Sequence, residues 1–353
     1  MRKVRVLTLF VGLVLAARLG HAQSALVDIP RQSQHAVLTQ RIGITDVTIS
    51  YHRPLAGSRK IWGGVVPYGQ VWRAGANENT TITFSDPVTV EGKPLDKGTY
   101  GLHMLPGEDQ WTVIFSKMAI AWGSFTYDEK EDALRVTVKP QPAELHDALT
   151  YDFDDLKADS AVATLRWEKV AVPFKIAVNV NDVVADSLHR QLRGLSQYTW
   201  EGWDDAATFL LASKTHLDDA LEYEGKSIQI EERYDNLMTK SQILDEMGKK
   251  DEAVAAKNRA LEKATPFQLH AYARQLQGEK KQDQAFAIFQ SNYKKYPNEW
   301  FVHSGMARIY TAQGDFANAV KEMKTAHDLA PAPFQSGIES MVKRLENKED
   351  INR

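Results

Sequence analysis

The sequence predicts an all-β antiparallel sandwich domain followed by an all-α domain built from helical repeats. Three observations support this fold class: the length of the chain, a change of hydrophobic period near residue 180, and an internal repeat. The 353 residues exceed the roughly 100 to 200 residues of a usual single domain. The composition, 43% hydrophobic and 25% charged, is that of a globular protein. We therefore expect two folded domains.

The first 22 residues have the pattern of a cleavable export signal. A positively charged start precedes an apolar run from 6 to 17, and Gly20 and Ala22 are small residues at the recognition positions. A membrane anchor needs about 20 apolar residues, and Arg18 interrupts this run before that length. We expect a signal peptide over 1–22 and a periplasmic or extracellular chain without a membrane span after cleavage.

Residues 33–180 show the alternation that is typical of half-buried strands. Val47, Ile49 and Tyr51 alternate with polar residues, and turn residues recur between the later apolar segments. Roughly nine or ten such strands, with almost no helical pattern, predict an antiparallel sandwich or barrel. Several connections are too long for a simple up-and-down barrel, so we expect a sandwich.

Beyond residue 179 the apolar period changes from two to between three and four. The apolar residues from Val184 to Leu195 form one stripe, which predicts a connecting helix over 181–200. Three pairs of residues then recur with a spacing of 34: Ala285 and Ala319, Phe289 and Met323, Pro297 and Pro331.

This pattern resembles the tetratricopeptide repeat, in which small residues let two antiparallel helices pack closely and a proline ends the second helix. The resemblance implies a helical solenoid over 201–347. We expect about four units, near 201–233, 234–265, 266–299 and 300–333, followed by a capping helix. The first two units lack the terminal proline at the expected place.

Composition and motifs exclude several classes of function. The chain has no cysteine, which removes disulfides, thiolate metal sites and cysteine nucleophiles. The formal charge of −3 gives no basic footprint for nucleic acid. The common catalytic and phosphate-binding motifs are absent. His52 and His103 lack a placed carboxylate and make an incomplete zinc site, so we expect two solvated surface histidines, no metal and no cofactor.

Several short sequence motifs between residues 51 and 136 are unusual. In one-letter code they are YHRP at 51–54, GSRKIWGGVVPYG at 57–69, VWRAGANE at 71–78, GLHMLP at 101–106, WTVIFSK at 111–117, WGSF at 122–125 and DALRV at 132–136. In this order they resemble the uncharacterised bacterial family named domain of unknown function 2911, over about residues 35 to 178. His52 stands where a small hydroxyl residue is expected. The resemblance implies a secreted β-domain and supplies no catalytic residue.

The loop over 53–79 is a candidate ligand site, because it is long and rich in glycine, arginine and tryptophan. Indoles offer flat apolar surfaces, and guanidinium groups donate to carboxylate, sulfate or sugar hydroxyls. The candidate residues are Arg59, Trp62, Trp72, Arg73, Asn77 and Glu78. The alternative is structural: the indoles close one end of the sandwich, and the arginines bind loop carbonyls and Glu78.

The repeat alignment predicts a second site on the concave surface. It places His270 and Arg274 of the third unit beside Ser304 and Arg308 of the fourth, with residues four apart on one helical face. Such donors suit a carboxylate of a bound polypeptide. The alternative is a pair of solvated arginines, or of arginines paired with acidic residues.

These observations favour a non-enzymatic exported binding or scaffold protein whose repeats bind a polypeptide partner. One alternative is an envelope or extracellular enzyme with its site in the 53–79 loop. Another is a β-domain that binds a small molecule or glycan through exposed tryptophans.

Overall fold

A computed structural model of the chain describes residues 30–352. The predicted export signal over 1–22 lies outside the described residues. The chain divides into two compact units, and the boundary falls between Val183 and Val184.

The first unit consists of antiparallel strands. Their bounds are β1 (Gln34–Ile42), β2 (Thr45–Arg53), β3 (Thr81–Phe84), β4 (Val88–Val90), β5 (Lys93–Leu95), β6 (Gly98–Leu105), β7 (Trp111–Ser116), β8 (Asp132–Val138), β9 (Gln141–Asp154) and β10 (Ser160–Ala177). A six-stranded sheet has the order β1-β2-β3-β6-β7-β8, and a four-stranded sheet has the order β5-β4-β10-β9. Neither sheet closes on itself, which confirms an antiparallel β fold and excludes the barrel.

One apolar core joins the inner faces of the two sheets. Ile49 and Leu102 come from the six-stranded sheet, Leu165 and Phe174 come from the four-stranded sheet, and all four belong to one buried cluster. The alternation explains this core, because β2 buries every second side chain from Thr45 to Tyr51.

The second unit is helical. After α1 (Val180–Gln191) and a short 3-10 turn (Leu195–Tyr198), the helices are α2 (Trp200–Ser213), α3 (Leu217–Ile230), α4 (Tyr234–Glu246), α5 (Lys250–Lys263), α6 (Pro266–Gly278), α7 (Gln282–Lys295), α8 (Trp300–Ala312), α9 (Phe316–Leu329) and α10 (Ala332–Glu346). Consecutive helices pack against each other from α2 to α5 and again from α6 to α10. This order confirms the tetratricopeptide-like arrangement.

Small side chains occupy the places where these helices approach each other. Ala285 and Ala319, the first pair of the 34-residue repeat, are both fully buried. Gly305 of α8 faces α7, where a Cβ atom would lie 2.7 Å from the Cδ1 atom of Phe289. The packing between α7 and α8 therefore requires a residue without a side chain at position 305.

Among residues 30–352, none of the helices combines the length and the apolar character that a membrane crossing needs.

Candidate functional site

The two tryptophans of the 53–79 loop pack into the β-unit core. The Trp62 ring lies 4.9 Å from that of Trp111 and 5.8 Å from that of Trp167, measured between centroids. The Trp72 ring stacks on Trp167 at 5.9 Å. Trp72 also donates its indole N–H to the carbonyl of Gly75 at 3.2 Å. The structure thus places both indoles in a four-tryptophan cluster, where they stabilise the loop.

The polar residues of this loop divide into two groups. Arg59 donates to the backbone carbonyls of Leu55 and Ala56. Asn77 donates to the carbonyl of Ser33 at 3.3 Å and has a positive φ of 57°. These contacts hold the loop in its own conformation, as the structural interpretation expects.

The other group surrounds Glu78 on the outer face of the six-stranded sheet. Glu78 pairs with Arg31 at 3.3 Å and lies 3.5 Å from Nε2 of His52. Arg73 makes no hydrogen bond or ion pair with any residue in the described part of the chain, and its buried Nε atom lacks an acceptor. Burial lowers the pKa of Arg73. Among the predicted ligand residues, Nε1 of Trp62 and Oε2 of Glu78 are also buried atoms without a hydrogen-bond partner.

The expectation of two solvated histidines is wrong for His103. Its ring is only 2% exposed, because the loop after β7 covers it. Ser124 lies 2.9 Å from Nδ1 of His103, and the Tyr127 ring lies 5.4 Å from its ring. Burial lowers the pKa of His103 to about 4, so the ring is neutral at neutral pH. Strand alternation predicts the face of a side chain but not whether a distant loop covers it.

Within the described range 30–352, groups of three or more histidine, aspartate or glutamate side chains placed to hold a metal ion do not occur.

The structure places the four predicted groove residues on α6 and α8 in different environments. Arg274 is exposed and donates to the side chain of Gln277 at 2.9 Å. Ser304 and Arg308 are buried, with exposures of 6% and 5%. His270 packs against the ring of Phe289 at 5.1 Å. The four residues therefore do not form one open row of donors.

Charge effects nevertheless place His270 near both arginines. Burial, together with the positive charges of Arg308 and Arg274, lowers the pKa of His270 to about 3. Two buried atoms of this group, Nδ1 of His270 and Nε of Arg308, have no hydrogen-bond partner. The group has unused capacity for hydrogen bonds.

The segment 350–352, which follows α10, lies against this group. Arg308 donates from Nη1 to the carbonyl of Ile351. The Asn352 side chain donates to the carbonyl of Arg308 at 3.0 Å and accepts from Gln277 at 2.9 Å. Arg344 donates to the carbonyl of Asp350 at 2.7 Å. Sequence reasoning missed this segment, because it follows the last periodic helix and its only apolar residue is Ile351.

A cleft of about 520 Å³ extends over the first three repeats, among side chains of α2, α4, α5 and α6. Charged residues at its rim pair with one another, Lys214 with Glu246 at 3.0 Å and Lys281 with Glu279 at 2.7 Å. The cleft has room for a side chain of a bound partner but no feature that selects one.

The first repeat contains a buried carboxyl group that sequence reasoning also missed. Glu224 of α3 is completely buried, and neither side-chain oxygen has a hydrogen-bond partner. Burial, together with the neighbouring carboxylate of Asp204 on α2, raises the pKa of Glu224 to about 9, although Lys240 on α4 acts in the opposite direction. Glu224 is therefore protonated in the folded chain at neutral pH.

The comparisons with known proteins concern the two units separately. Residues 33–176 match the family model described as protein of unknown function (DUF2911). The N-terminal domain resembles DUF2911. This match confirms the resemblance that the short sequence motifs indicate. The description of the family assigns no activity to its members. No curated protein matches the chain.

Three solved structures illustrate the similarity of the helical part. The APC/C hetero-tetramer Cut9-Hcn1 has a TM-score of 0.32 at 14% identity, over 48% of this chain and 33% of that chain. YrrB, titled a TPR protein with an unusual peptide-binding site, has a TM-score of 0.28 at 15% identity, over 46% of this chain and 89% of the YrrB chain. Yeast Tom70 has a TM-score of 0.22 at 18% identity, over 42% of this chain and 39% of the Tom70 chain. The chain thus spans about a third of the Cut9-Hcn1 chain.

The raised pKa of Glu224 predicts that stability falls as pH rises. In the unfolded chain the Glu224 carboxyl ionises near its ordinary pKa of 4.5, whereas in the folded chain it keeps its proton up to about pH 9. The free energy of unfolding therefore decreases progressively as the pH rises from about 4.5 to about 9. Glu224→Gln should therefore be more stable than the wild type at pH 8 by about 1 to 3 kcal/mol and similar to it at pH 4.5. Urea unfolding across this pH range measures the difference.

The matched control is Glu222→Gln, because Glu222 is an exposed residue of the same helix that pairs with Lys226. It should change stability little at any pH. An equal effect of both substitutions at pH 8 would contradict the assignment to Glu224.

Proposed function

We propose that this protein is an exported, non-enzymatic binding protein whose helical repeats bind a polypeptide partner. One observation carries the proposal: side chains of the third and fourth repeats already bind a piece of polypeptide, the chain's own segment 350–352. We call the surface formed by His270, Gln277, Ser304 and Arg308 the repeat groove.

The contacts in the repeat groove suit a main chain rather than a particular ligand group. Arg308 donates to the backbone carbonyl of Ile351, a group that every polypeptide carries. Burial lowers the pKa of Arg308 to about 9, which leaves the guanidinium charged at neutral pH. A charged donor in a buried place makes a strong hydrogen bond to a carbonyl. This contact supports binding of an extended peptide.

The side chains of the segment define the chemistry of a partner. Ile351 is 3% exposed and belongs to an apolar cluster with Ala307 and Val342, against which Met341 packs. The amide of Asn352 then accepts a hydrogen bond from Gln277. We infer that the repeat groove selects a segment with an aliphatic residue followed by a residue with an amide side chain, which can accept from Gln277 and donate to the carbonyl of Arg308.

The segment also competes with a partner, because it is attached to the groove that it occupies. Tethering gives the segment a high effective concentration, so a free peptide must overcome it. A variant that releases the segment should therefore bind a peptide more tightly than the wild type. This expectation gives the proposal a direct test.

We expect the full-length Ile351→Asp variant to bind a labelled peptide with the sequence of residues 347–353, because a charged side chain cannot stay in the apolar cluster. Fluorescence anisotropy should show saturable binding to this variant and at least about tenfold weaker binding to the wild type. Adding Arg308→Gln should weaken binding by about tenfold or more, since the donor to the peptide carbonyl is lost.

The control adds Arg259→Gln instead, because Arg259 is exposed on α5 and pairs with Glu232. It should leave peptide binding unchanged. A peptide with aspartate in place of its isoleucine should not bind. Peptide binding that is unchanged both by Arg308→Gln and by replacing the peptide isoleucine with aspartate would contradict the proposal. Circular dichroism of each variant verifies that the helices remain folded.

Export is the second part of the proposal, and the charge and hydropathy pattern of residues 1–22 supports it. We expect the mature chain to begin at Gln23 when the full sequence is expressed in a bacterium. N-terminal sequencing of the protein from the exported fraction measures this. Recovery of the chain only inside the cell, with Met1 or Arg2 at its N-terminus, would contradict export.

A further inference from the structure

Arg73 lies on the outer face of the six-stranded sheet, away from the tryptophan cluster. Trp72 exchanges two backbone hydrogen bonds with Met104, each of 2.8 Å, so the loop continues the sheet at this point. Successive side chains of an extended chain face opposite sides. Because the Trp72 ring packs on the core, Arg73 extends toward the outer face, as His52 does next to the buried Tyr51.

The guanidinium of Arg73 rests on the backbone of Gly123. A Cβ atom on Gly123 would lie 2.8 Å from Nη1 of Arg73 and 3.4 Å from both its Cδ atom and the Phe125 ring. Gly123 also has a positive φ of 74°, which favours glycine. The loop after β7 therefore leaves room for this guanidinium and places an aromatic ring beside it.

No residue in the part of the chain that the structure describes neutralises or hydrogen-bonds Arg73. The acid of this cluster, Glu78, pairs with Arg31 and lies 3.5 Å from Nε2 of His52. Burial lowers the pKa of His52, Glu78 raises it, and the neighbouring His35, Arg31 and Arg73 lower it further. Two arginines and one glutamate leave the cluster with a formal charge of about +1. It is suited to an anion.

Exposed aromatic residues flank the same place. Phe125 is 83% exposed, and Trp122 is 46% exposed with the guanidinium of Arg31 5.3 Å from its ring centroid. Large apolar side chains on a surface cost free energy unless something covers them. A ligand with an apolar part would cover both rings while its charged end reaches Arg73.

We propose that Arg73 binds the carboxylate of a small organic acid whose apolar part contacts Phe125 and Trp122. A guanidinium presents two parallel N–H groups that match the two oxygens of a carboxylate. A single negative charge also matches the net charge of the cluster. A phosphate dianion would bring more charge and more oxygens than one unpaired guanidinium satisfies. This site lies in the β unit and does not depend on the function proposed for the repeats.

The test measures binding of benzoate, phenylacetate and indole-3-acetate to the full chain by isothermal titration calorimetry at constant ionic strength. At least one of these acids should bind saturably. Benzamide, which has the ring without the charge, and inorganic phosphate should each bind at least about tenfold more weakly. Binding of phosphate as tight as that of the best acid would overturn the carboxylate assignment.

Arg73→Gln should weaken the binding of the best acid by at least about tenfold. Because Arg73 makes no hydrogen bond within the described chain, this variant should melt at the same temperature as the wild type or higher. Arg73→Lys keeps the charge and should bind more weakly than the wild type, since an ammonium lacks the planar pair of donors.

The matched control is Arg41→Gln on β1, whose arginine pairs with Asp46 at 2.8 Å and is exposed. It should bind the acid as the wild type does. The proposal is overturned if none of the three acids binds saturably, or if Arg73→Gln binds the best acid as tightly as Arg41→Gln does. A markedly lower melting temperature of both Arg73 variants would show that the guanidinium serves the fold instead.

Discussion

Close approach of neighbouring helices is the constraint on which the helical unit depends. Ala285 and Ala319 have no exposed surface, and Gly305 leaves no room for a Cβ atom beside Phe289. Gly305 lies about one helical turn before Arg308 on α8. A larger residue at this point would separate α7 from α8 and move the buried guanidinium. The packing rule of the repeat and the chemistry of the repeat groove are therefore coupled.

Burial of Arg308 is costly, and the segment 350–352 reduces that cost by supplying a carbonyl acceptor. The segment is short, and its attachment depends on one aliphatic side chain and a few hydrogen bonds. Short segments outside regular secondary structure open at lower free energy than packed helices do. This difference would let a partner enter while the repeats stay folded. The Nε atom of Arg308 and Nδ1 of His270 remain free to bind such a partner.

The fold could be predicted from local patterns, whereas the sites depend on contacts between distant residues. Alternation from Val47 to Tyr51 identifies the core face of β2, and the 34-residue spacing identifies paired helices, because both are periodic in sequence. The burial of Arg308 depends on Ile351, 43 residues away and outside any periodic segment. The burial of His103 depends on Ser124 in a loop without a pattern.

The candidate residues of the 53–79 loop show the same limit. Composition identified arginine and tryptophan as binding residue types, but it could not separate Arg59, which binds loop carbonyls, from Arg73, which binds none. Only the register between Trp72 and Met104 shows which side chain faces outward. The N-terminal domain resembles a family without an assigned activity. Its binding residues therefore have to be inferred from structural features such as this backbone register.

The proposed function depends on the repeat groove binding a polypeptide through Arg308. A crystal structure of the Ile351→Asp variant with the peptide of residues 347–353 would test this contact. We expect the peptide isoleucine in the apolar cluster beside Ala307, with its backbone carbonyl within hydrogen-bond distance of the Arg308 guanidinium. Peptide bound at another surface, or a repeat groove still occupied by the variant's own segment 350–352, would contradict the proposed function.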